Sequence, residues 1–258
     1  LRQKNSAKGY IRLMKSRRTD GLWSLADKIE DRAWKAPDSA TDKLNPYGVP
    51  YYINMADAAV TTGGFIGHLI RYAGGTTGTV CAGIDAAVEA KWNNYADVYV
   101  KVDNMLLRKL KKAMLLTRFR PPVFIDSPGK DQPGKKRMYV NADAAVELMD
   151  LADKRDDASS PKDLAGKALI DVQGTTSFNR IPIVYIPQLD GAAYSPIYTV
   201  DFSKFIPVVQ EGYWMNEGKP ISGGRLQHTT VTVFLDGSHN NLCLNRRTAG
   251  FVLHTVTA

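Results

Sequence analysis

The amino-acid sequence predicts an α+β fold, in which a long helix packs on an antiparallel sheet and the middle of the chain forms a second, mixed α/β region. Two observations carry this prediction. Apolar residues recur every three or four positions from Leu22 to Ala33, which is the spacing of one helix face. A second spacing, an alternation with a period of two, extends from Val231 to Leu235 and again from Phe251 to Val256, which is typical of half-buried strands. Val231, Val233 and Leu235 are predicted to lie in the core.

Composition and charge narrow the class of protein. Hydrophobic residues make up 44% of the 258 residues and charged residues 23%, as in globular chains rather than disordered ones. The net charge of +8 is uneven: residues 1–136 hold 23 basic and 13 acidic residues (+10), and the remainder holds 11 and 13 (−2). A basic surface attracts polyanions, although a charged run is equally the composition of a solvated face. No apolar run reaches the roughly 18 residues of a membrane span, so we expect no membrane partner.

The first forty residues predict a basic segment followed by a helix. Residues 2–18 hold seven basic residues and no acidic one. Two interpretations stay open: the segment is a solvated stretch that precedes the helix, or it is a surface that faces nucleic acid. Asp20 is predicted to cap the helix and Pro37 to stop it. Trp23 and Trp34 are predicted to be packing anchors beside the apolar helix face.

The segment 61–84 is rich in glycine, with seven glycines in 24 residues. A phosphate-binding loop needs a Lys followed by Ser or Thr after its last glycine, and neither Gly67-His68 nor Gly78-Thr79 supplies that pair. The sequence therefore predicts a flexible surface loop here.

The middle of the chain predicts alternating strands and helices. The predicted strands are Trp92–Val102, Arg137–Val140, Ile181–Leu189 and Tyr198–Phe205, and the predicted helix caps are Asp103 and Asn141. The helix after Asp103 carries a leucine stripe, and its remaining positions are basic: Arg108, Lys109, Lys111, Lys112 and Arg118. A surface helix packed on a sheet is favoured, and a membrane-surface or nucleic-acid element is the alternative. Met114 and Met149 are both predicted to lie in the core.

No catalytic, cofactor-binding or metal-binding residue is predicted. Asp236, Ser238 and His239 are too close in sequence to form a catalytic triad. The carboxylate pair Asp156-Asp157 lies in a polar loop and is predicted to be solvated. The two cysteines, Cys81 and Cys243, and the four histidines have neither a metal-binding spacing nor a disulfide framework.

Arg246 and Arg247 form a polar cluster between predicted strands. Two guanidinium groups are able to clamp a phosphate or a carboxylate. Because Arg246 and Arg247 lie among predicted strands without a nearby nucleophile, a structural role is favoured, in which they bridge subunits or hold a buried acid.

Several segments together resemble a known family. The stretches "PIYTVDFSKFIPVVQEG" and "QHTTVTVFLDGSHNNLCLNRR…GFVLHTV" resemble the C-terminal part of tailed-phage major capsid proteins with the Hong Kong 97-type fold. A long helix followed by a Pro-x-Gly loop resembles the spine helix of that fold. A strand, an Asn cap and a short helix resemble part of its axial domain.

The resemblance implies both a domain division and a function. Residues 1–45 and roughly 208–247 correspond to a peripheral domain with the spine helix, and residues 46–207 and 248–258 to an axial domain. The implied function is structural: copies form hexamers and pentamers of an icosahedral shell that encloses double-stranded DNA in a virion assembled in the host cytoplasm. The implied partners are other copies of the chain, packaged DNA held by non-specific electrostatics, and portal, scaffold or decoration proteins. No enzymatic activity and no cofactor are implied.

Two alternatives remain from the sequence alone, an encapsulin-like compartment shell and a basic nucleic-acid-binding protein. The second alternative predicts steeply salt-dependent binding to free DNA. In capsid proteins of this type an N-terminal arm and a long two-stranded loop precede the spine helix. Residues 1–18 predict no such strands, so we expect these elements to lie upstream of Leu1.

Overall fold

The computed structural model describes residues 7–57, 62–120, 135–153, 176–223 and 227–255. Within them the α-helices are α1 Ala7–Ala33, α2 Val49–Tyr52, α3 Asn104–Leu116, α4 Ala142–Asp153 and α5 Arg246–Ala249. The strands are β1 Gly64–Gly67, β2 Ile70–Arg71, β3 Thr77–Gly78, β4 Val80–Cys81, β5 Ile84–Asp85, β6 Asn94–Tyr99, β7 Lys136–Val140, β8 Ser177–Phe178, β9 Ile181–Tyr185, β10 Ile197–Asp201, β11 Phe205–Val209, β12 Asn216–Glu217, β13 Ile221–Gly223, β14 Gln227–Thr232, β15 Leu235–Asp236, β16 His239–Cys243 and β17 Gly250–Thr255.

A seven-stranded sheet forms the centre of the fold, in the order β1-β6-β17-β10-β7-β9-β8. Strand β17 pairs parallel with β6 and antiparallel with β10, and β7 pairs antiparallel with β10 and parallel with β9. The α+β class is therefore confirmed, and this sheet is formed by the region that was predicted to be mixed α/β. The sheet is mixed because α3 and α4 lie in crossover connections, which return the chain in the same direction.

Both faces of the large sheet are covered. On one face, apolar side chains of α3 and α4 pack against Met138, Phe251 and Leu253. On the other face, Trp34 and Val252 belong to a second apolar cluster. Residues 251–254 are buried on both sides, which explains the nearly continuous apolar run of β17. Each such side chain contributes about 1.5–3 kcal/mol by burial.

Helix α1 is longer than predicted and packs elsewhere. It begins at Ala7, so Asp20 lies inside the helix and is not its cap. The preceding residues are mostly Ala, Leu, Met, Lys and Arg, whose helix propensity favours extension toward the N-terminus. Helix α1 contacts the small antiparallel β12–β15 pair, where the Cα of Gly21 approaches Leu235 so closely that an added Cβ would lie 3.0 Å from its Cδ1.

The two tryptophans of this region differ. Trp34 is 8% exposed, and its ring lies 4.8 Å from that of Tyr139 on the large sheet. Trp23 is 73% exposed, so the packing-anchor prediction holds for Trp34 and is wrong for Trp23. Trp23 directly follows half-buried Leu22, and a step of one residue along a helix turns a side chain by about 100° away from the packed face.

The glycine-rich segment is ordered strand structure, so the prediction of a flexible loop is wrong. Strand β1 is an edge of the large sheet, and β2–β3 and β4–β5 are antiparallel pairs. Ile70 and Cys81 are fully buried. At Gly67 an added Cβ would lie 2.3 Å from the side-chain oxygen of Asn94, so this glycine permits the close approach of β1 and β6.

The C-terminal stretch divides into a peripheral part and a central part. Strands β14 and β15 belong to separate two-stranded pairs, and Val233 and Leu235 are only half-buried. Their predicted place in the core is therefore wrong, because a two-stranded pair has a single covering layer, here α1. The side chain of Val231 lies outside the described residues. Strand β17, by contrast, confirms the second predicted run.

The predicted strands and caps of the middle region are largely confirmed. The Asp103 carboxylate accepts hydrogen bonds from the Met105 and Leu106 amides, and the Asn141 side chain accepts one from the Ala144 amide. The predicted strand from Tyr198 breaks at a 3-10 turn over residues 202–204, between β10 and β11.

Two core predictions of this region have different outcomes. Met114 is buried, but Met149 is 48% exposed. Helix α4 instead packs through Ala144, Ala145 and Leu148. The Asp156-Asp157 pair and most of the turn-rich stretch before Arg137 lie outside the described residues.

Candidate interaction surfaces

Arg246 is the most deeply buried charged side chain described, with 0% exposure. The Asn245 side chain caps the short helix α5 by accepting from the Arg247 amide at 3.0 Å, which turns Arg246 inward. Its guanidinium donates to four acceptors on other elements: the backbone oxygens of Tyr52 (2.7 Å), Trp92 (2.8 Å) and Gly67 (3.0 Å) and the Asn94 side-chain oxygen (3.2 Å). These four bonds join α2, β1, β6 and α5.

The prediction that the two arginines hold a buried acid is wrong for Arg246, and the alternative that they bridge subunits stays a prediction. The acceptors of Arg246 are carbonyl and amide oxygens rather than a buried acid. Arg247 places its guanidinium carbon 3.8 Å from the centre of the Phe65 ring. The two side chains have separate partners, so they do not form a joint clamp for phosphate or carboxylate. Sequence reasoning missed the acceptors because the Gly67 and Asn94 contacts depend on the pairing of β1 with β6.

The two cysteines lie in one apolar cluster, beside the Arg246 side chain, and both are free thiols. Burial raises the pKa of Cys81 to about 11 and that of Cys243 to about 12. Since the thiolate is the reactive and metal-binding form, these side chains act as core packing at neutral pH. Among the described residues no group of three or more His, Cys, Asp or Glu is placed to hold a metal ion.

The turn that connects β15 to β16 carries Asp236, Ser238 and His239. The Ser238 amide donates to the Tyr213 oxygen at 2.7 Å, and the His239 ring lies 5.8 Å from that of Trp214. Burial lowers the pKa of His239. These contacts are those of a packed turn and do not align the three side chains for proton transfer.

A large apolar surface lies on residues 205–244, which we name the peripheral ribbon. Strands β11–β16, β12–β15 and β13–β14 form its three antiparallel pairs. Ile206 faces Leu242 across β11–β16, and both side chains are more than 40% exposed. The exposed large apolar residues of the ribbon are Ile206, Val208, Val209, Tyr213, Trp214, Ile221, Phe234, Leu242 and Leu244. Exposed apolar side chains that adjoin one another, as Ile206 and Leu242 do, are typical of interaction sites.

Two helices present basic faces. In the first half of α1, Arg12, Lys15 and Arg17 are exposed, and the first turn has no acidic residue. On α3, three basic side chains are exposed, whereas Lys109 donates to the nearly buried Asp97 carboxylate at 3.0 Å.

A cleft of about 450 Å³ separates α1 from the β12–β15 pair. Its walls include Met14, Val233 and Leu235, and the Arg18 guanidinium bonds to the Glu217 carboxylate at 2.6 Å across it. This ion pair and the apolar walls attach α1 to the peripheral ribbon. Within the described part of the chain, no helix is both long and apolar enough to cross a membrane.

Comparison with known proteins identifies the fold. No family model matches the sequence, and no match was found among curated proteins. The structure is similar to a chain solved as the "Cyanophage A-1(L) capsid asymmetric unit", with a TM-score of 0.58 and 12% sequence identity. The match covers 95% of this chain and 70% of that chain. At this identity the likeness shows a shared fold, that of a phage capsid protein.

Proposed function

We propose that this chain is the major capsid protein of a tailed phage with the Hong Kong 97-type fold. Copies form hexamers and pentamers, and these build an icosahedral shell around double-stranded DNA. The role is structural and not enzymatic, and the place of action is the virion, after assembly in the host cytoplasm. The observation that carries the proposal is the fold similarity to a cyanophage capsid chain over 95% of this chain.

The distribution of apolar surface supports the proposal. An isolated two-stranded pair is marginal in water, yet the ribbon contains three such pairs and exposes nine large apolar side chains among the described residues. Burial against neighbouring copies would stabilise these strands. Shells are held by many interfaces, each of roughly 800–1,600 Å², so a ribbon with several exposed patches suits this role.

We also propose the division into a peripheral domain, residues 1–45 and 208–247, and an axial domain, residues 46–207 and 248–258. All seven strands of the large sheet lie in the axial ranges, and the three small strand pairs of the ribbon lie almost wholly in the peripheral range. Helix α1 joins the peripheral domain through its contact with β15.

Packaged DNA is the proposed polyanionic partner, bound without sequence preference through the exposed basic residues of α1. Portal, scaffold and decoration proteins remain candidate partners. A basic nucleic-acid-binding protein and an encapsulin-like compartment are the competing functions, and the same experiment separates all three.

The test measures assembly by sedimentation velocity and negative-stain microscopy. We expect capsomer-like rings from this chain, and closed shells of uniform diameter would support the proposal further. The variant Trp214→Ser/Phe234→Ser should unfold at an unchanged temperature, because both side chains are about half exposed, but should remain monomeric. The control Leu44→Ser/Val88→Ser removes two exposed apolar side chains outside the ribbon and should assemble normally.

Two outcomes would contradict the proposal. A native chain that stays monomeric at every concentration and binds free DNA with steep salt dependence is a nucleic-acid-binding protein. Closed shells that enclose protein cargo instead of DNA indicate the compartment function.

A further inference from the structure

Helices α3 and α4 cover the same face of the large sheet and carry opposite charge. Helix α3 has four basic residues and no acidic one, and helix α4 has four acidic residues and no basic one. Helix α3 contacts β6, near one edge of the sheet, and α4 contacts β9, near the other edge. The exposed charges of α3 are Arg108, Lys111 and Lys112, and those of α4 include Asp143, Glu147 and Asp150.

The acidic side chains of α4 form one stripe, because their spacing of four and three residues places them on one helix face. They line a cleft of about 400 Å³, whose opposite wall is formed by residues 99–102 at the end of β6. Among the described residues, none of the salt bridges involves these three carboxylates or the three exposed basic residues of α3. Lys101 lines the cleft opposite the acidic stripe but forms no salt bridge with it. Like charges at this spacing repel one another, so opposite charges on a neighbouring copy would stabilise each stripe.

Large apolar side chains flank both stripes. Leu115 is 79% exposed and Leu116 48% exposed on α3, and Val146 and Met149 are 57% and 48% exposed on α4. Val100, at the mouth of the cleft, is 83% exposed. A helix face that contacts only water does not need exposed apolar side chains, whereas a protein–protein contact buries them together with the charges.

We propose that the basic face of α3 in one copy of this chain docks along the acidic face of α4 in the next copy. This inference rests on the proposed shell function and names the surface that joins neighbours within a ring. The contact uses two different surfaces, so it is heterologous, and such contacts close into rings by rotation. The opposite charges steer the association and fix its register, while the flanking apolar residues supply burial.

The test exchanges the charges of the two helices. The α3 variant is Arg108→Glu/Lys111→Glu/Lys112→Glu, and the α4 variant is Asp143→Lys/Glu147→Lys/Asp150→Lys. Each variant alone brings like charges together, so its dissociation constant for self-association should rise by about tenfold or more. An equimolar mixture of the two variants should restore six-membered rings, in which alternating variants pair opposite charges at every contact, whereas a five-membered ring would keep one like-charge contact. The matched control is one chain with all six substitutions, which should also assemble.

A second measurement does not depend on the variants. Carbodiimide joins Lys amines to carboxylates that are in direct contact. In a mixture of isotopically light and heavy native protein, we expect light-to-heavy cross-links between Lys111 or Lys112 and Glu147 or Asp150. Circular dichroism of each variant shows whether it is folded, and where a variant is unfolded the cross-links decide.

The outcomes separate this contact from the shell function. If the native chain forms rings and both variants do so equally well, the contact is wrong and the shell function stands. If the native chain never leaves the monomer, both are wrong. If the α3 variant assembles normally and loses only binding to DNA, α3 is a nucleic-acid surface and the contact is overturned. Cross-links confined to other pairs also overturn it.

Discussion

The large sheet and the peripheral ribbon contain similar strand sequences in opposite environments. In β17, Phe251, Val252 and Leu253 are 0% exposed, whereas in the ribbon Val208 is 52% and Phe234 55% exposed. The sheet strand has a neighbour on each side and apolar clusters on both faces. Each ribbon strand has one neighbour. The large sheet is therefore stabilised by contacts within the chain, whereas the ribbon leaves apolar side chains exposed that the proposed assembly would bury.

The largest expected difference between the two regions comes from one substitution made in each. Val252→Asp places a carboxylate in a fully buried strand, at a cost of several kcal/mol. This cost is a large part of a typical free energy of unfolding, which is roughly 5–15 kcal/mol. We therefore expect no folded protein. Val233→Asp lies half-buried in a cleft that Lys15, Arg17 and Arg18 also line, so it should cost less than about 1 kcal/mol.

The measurement is urea unfolding followed by circular dichroism. Val252→Ala serves as the control at the buried site, since it removes apolar contacts without adding charge. A Val233→Asp protein as unstable as Val252→Asp would show that the ribbon belongs to the same core, and the contrast between the regions would fail.

The two neighbouring arginines give the next largest contrast. Arg246→Leu removes four hydrogen bonds and leaves the acceptors on α2, β1 and β6 without this donor, at a cost of about 3–5 kcal/mol. Arg247→Leu removes a stack on Phe65, worth roughly 0.5–1 kcal/mol at a partly exposed site. Thermal unfolding of the two variants measures both effects under the same conditions.

Arg246→Lys separates charge from geometry at the buried position. It keeps the positive charge but loses the planar fork, so its stability should lie between that of the native chain and Arg246→Leu. Equal stabilities for Arg246→Leu and Arg247→Leu would contradict the role of Arg246 as the joint between four elements.

Local patterns predicted the axial elements well. The leucine stripe after Asp103 and the Asn141 cap each depend on residues within a few positions, and the structure has both. The environment of a strand depends on what covers it, and residues 230–235 and 251–255 each contain three consecutive apolar residues. The sequence does not distinguish them, because the difference lies in long-range pairing with β6 and β10.

The two arginines were singled out from the sequence, but their contacts were not. Arg246 and Arg247 were identified as structural, yet the acceptors of Arg246 are backbone oxygens from distant segments, which no residue type reveals. The opposite charges of α3 and α4 are visible in the sequence. Their common place on one sheet face becomes clear only when both helices pack into one apolar cluster.

The smallest expected effect concerns the turn that joins α1 to the large sheet. The Asp42 carboxylate accepts hydrogen bonds from the Asn45 side chain at 2.7 Å and from the Asp38 and Leu44 amides. These bonds, the Asn45 contribution first, lower the pKa of Asp42 from 3.8 to about 2. A carboxyl whose pKa is lowered by folding stabilises the folded state above its unfolded value, and this stability is lost as the pH falls from 3.8 toward 2.

Asn45→Ala should therefore raise the pKa of Asp42 toward 3.8, and NMR titration of the Asp42 carboxyl measures this directly. Because the group is partly exposed and screened, the stability lost at neutral pH should stay below about 1 kcal/mol. The control Asp42→Asn removes the titration, so its stability should change less between pH 4 and pH 2 than that of the native chain. An Asp42 pKa near 3.8 in the native chain would mean that the hydrogen bonds within residues 38–45 do not form in solution. A pKa near 2 supports the turn, because only these local bonds lower it.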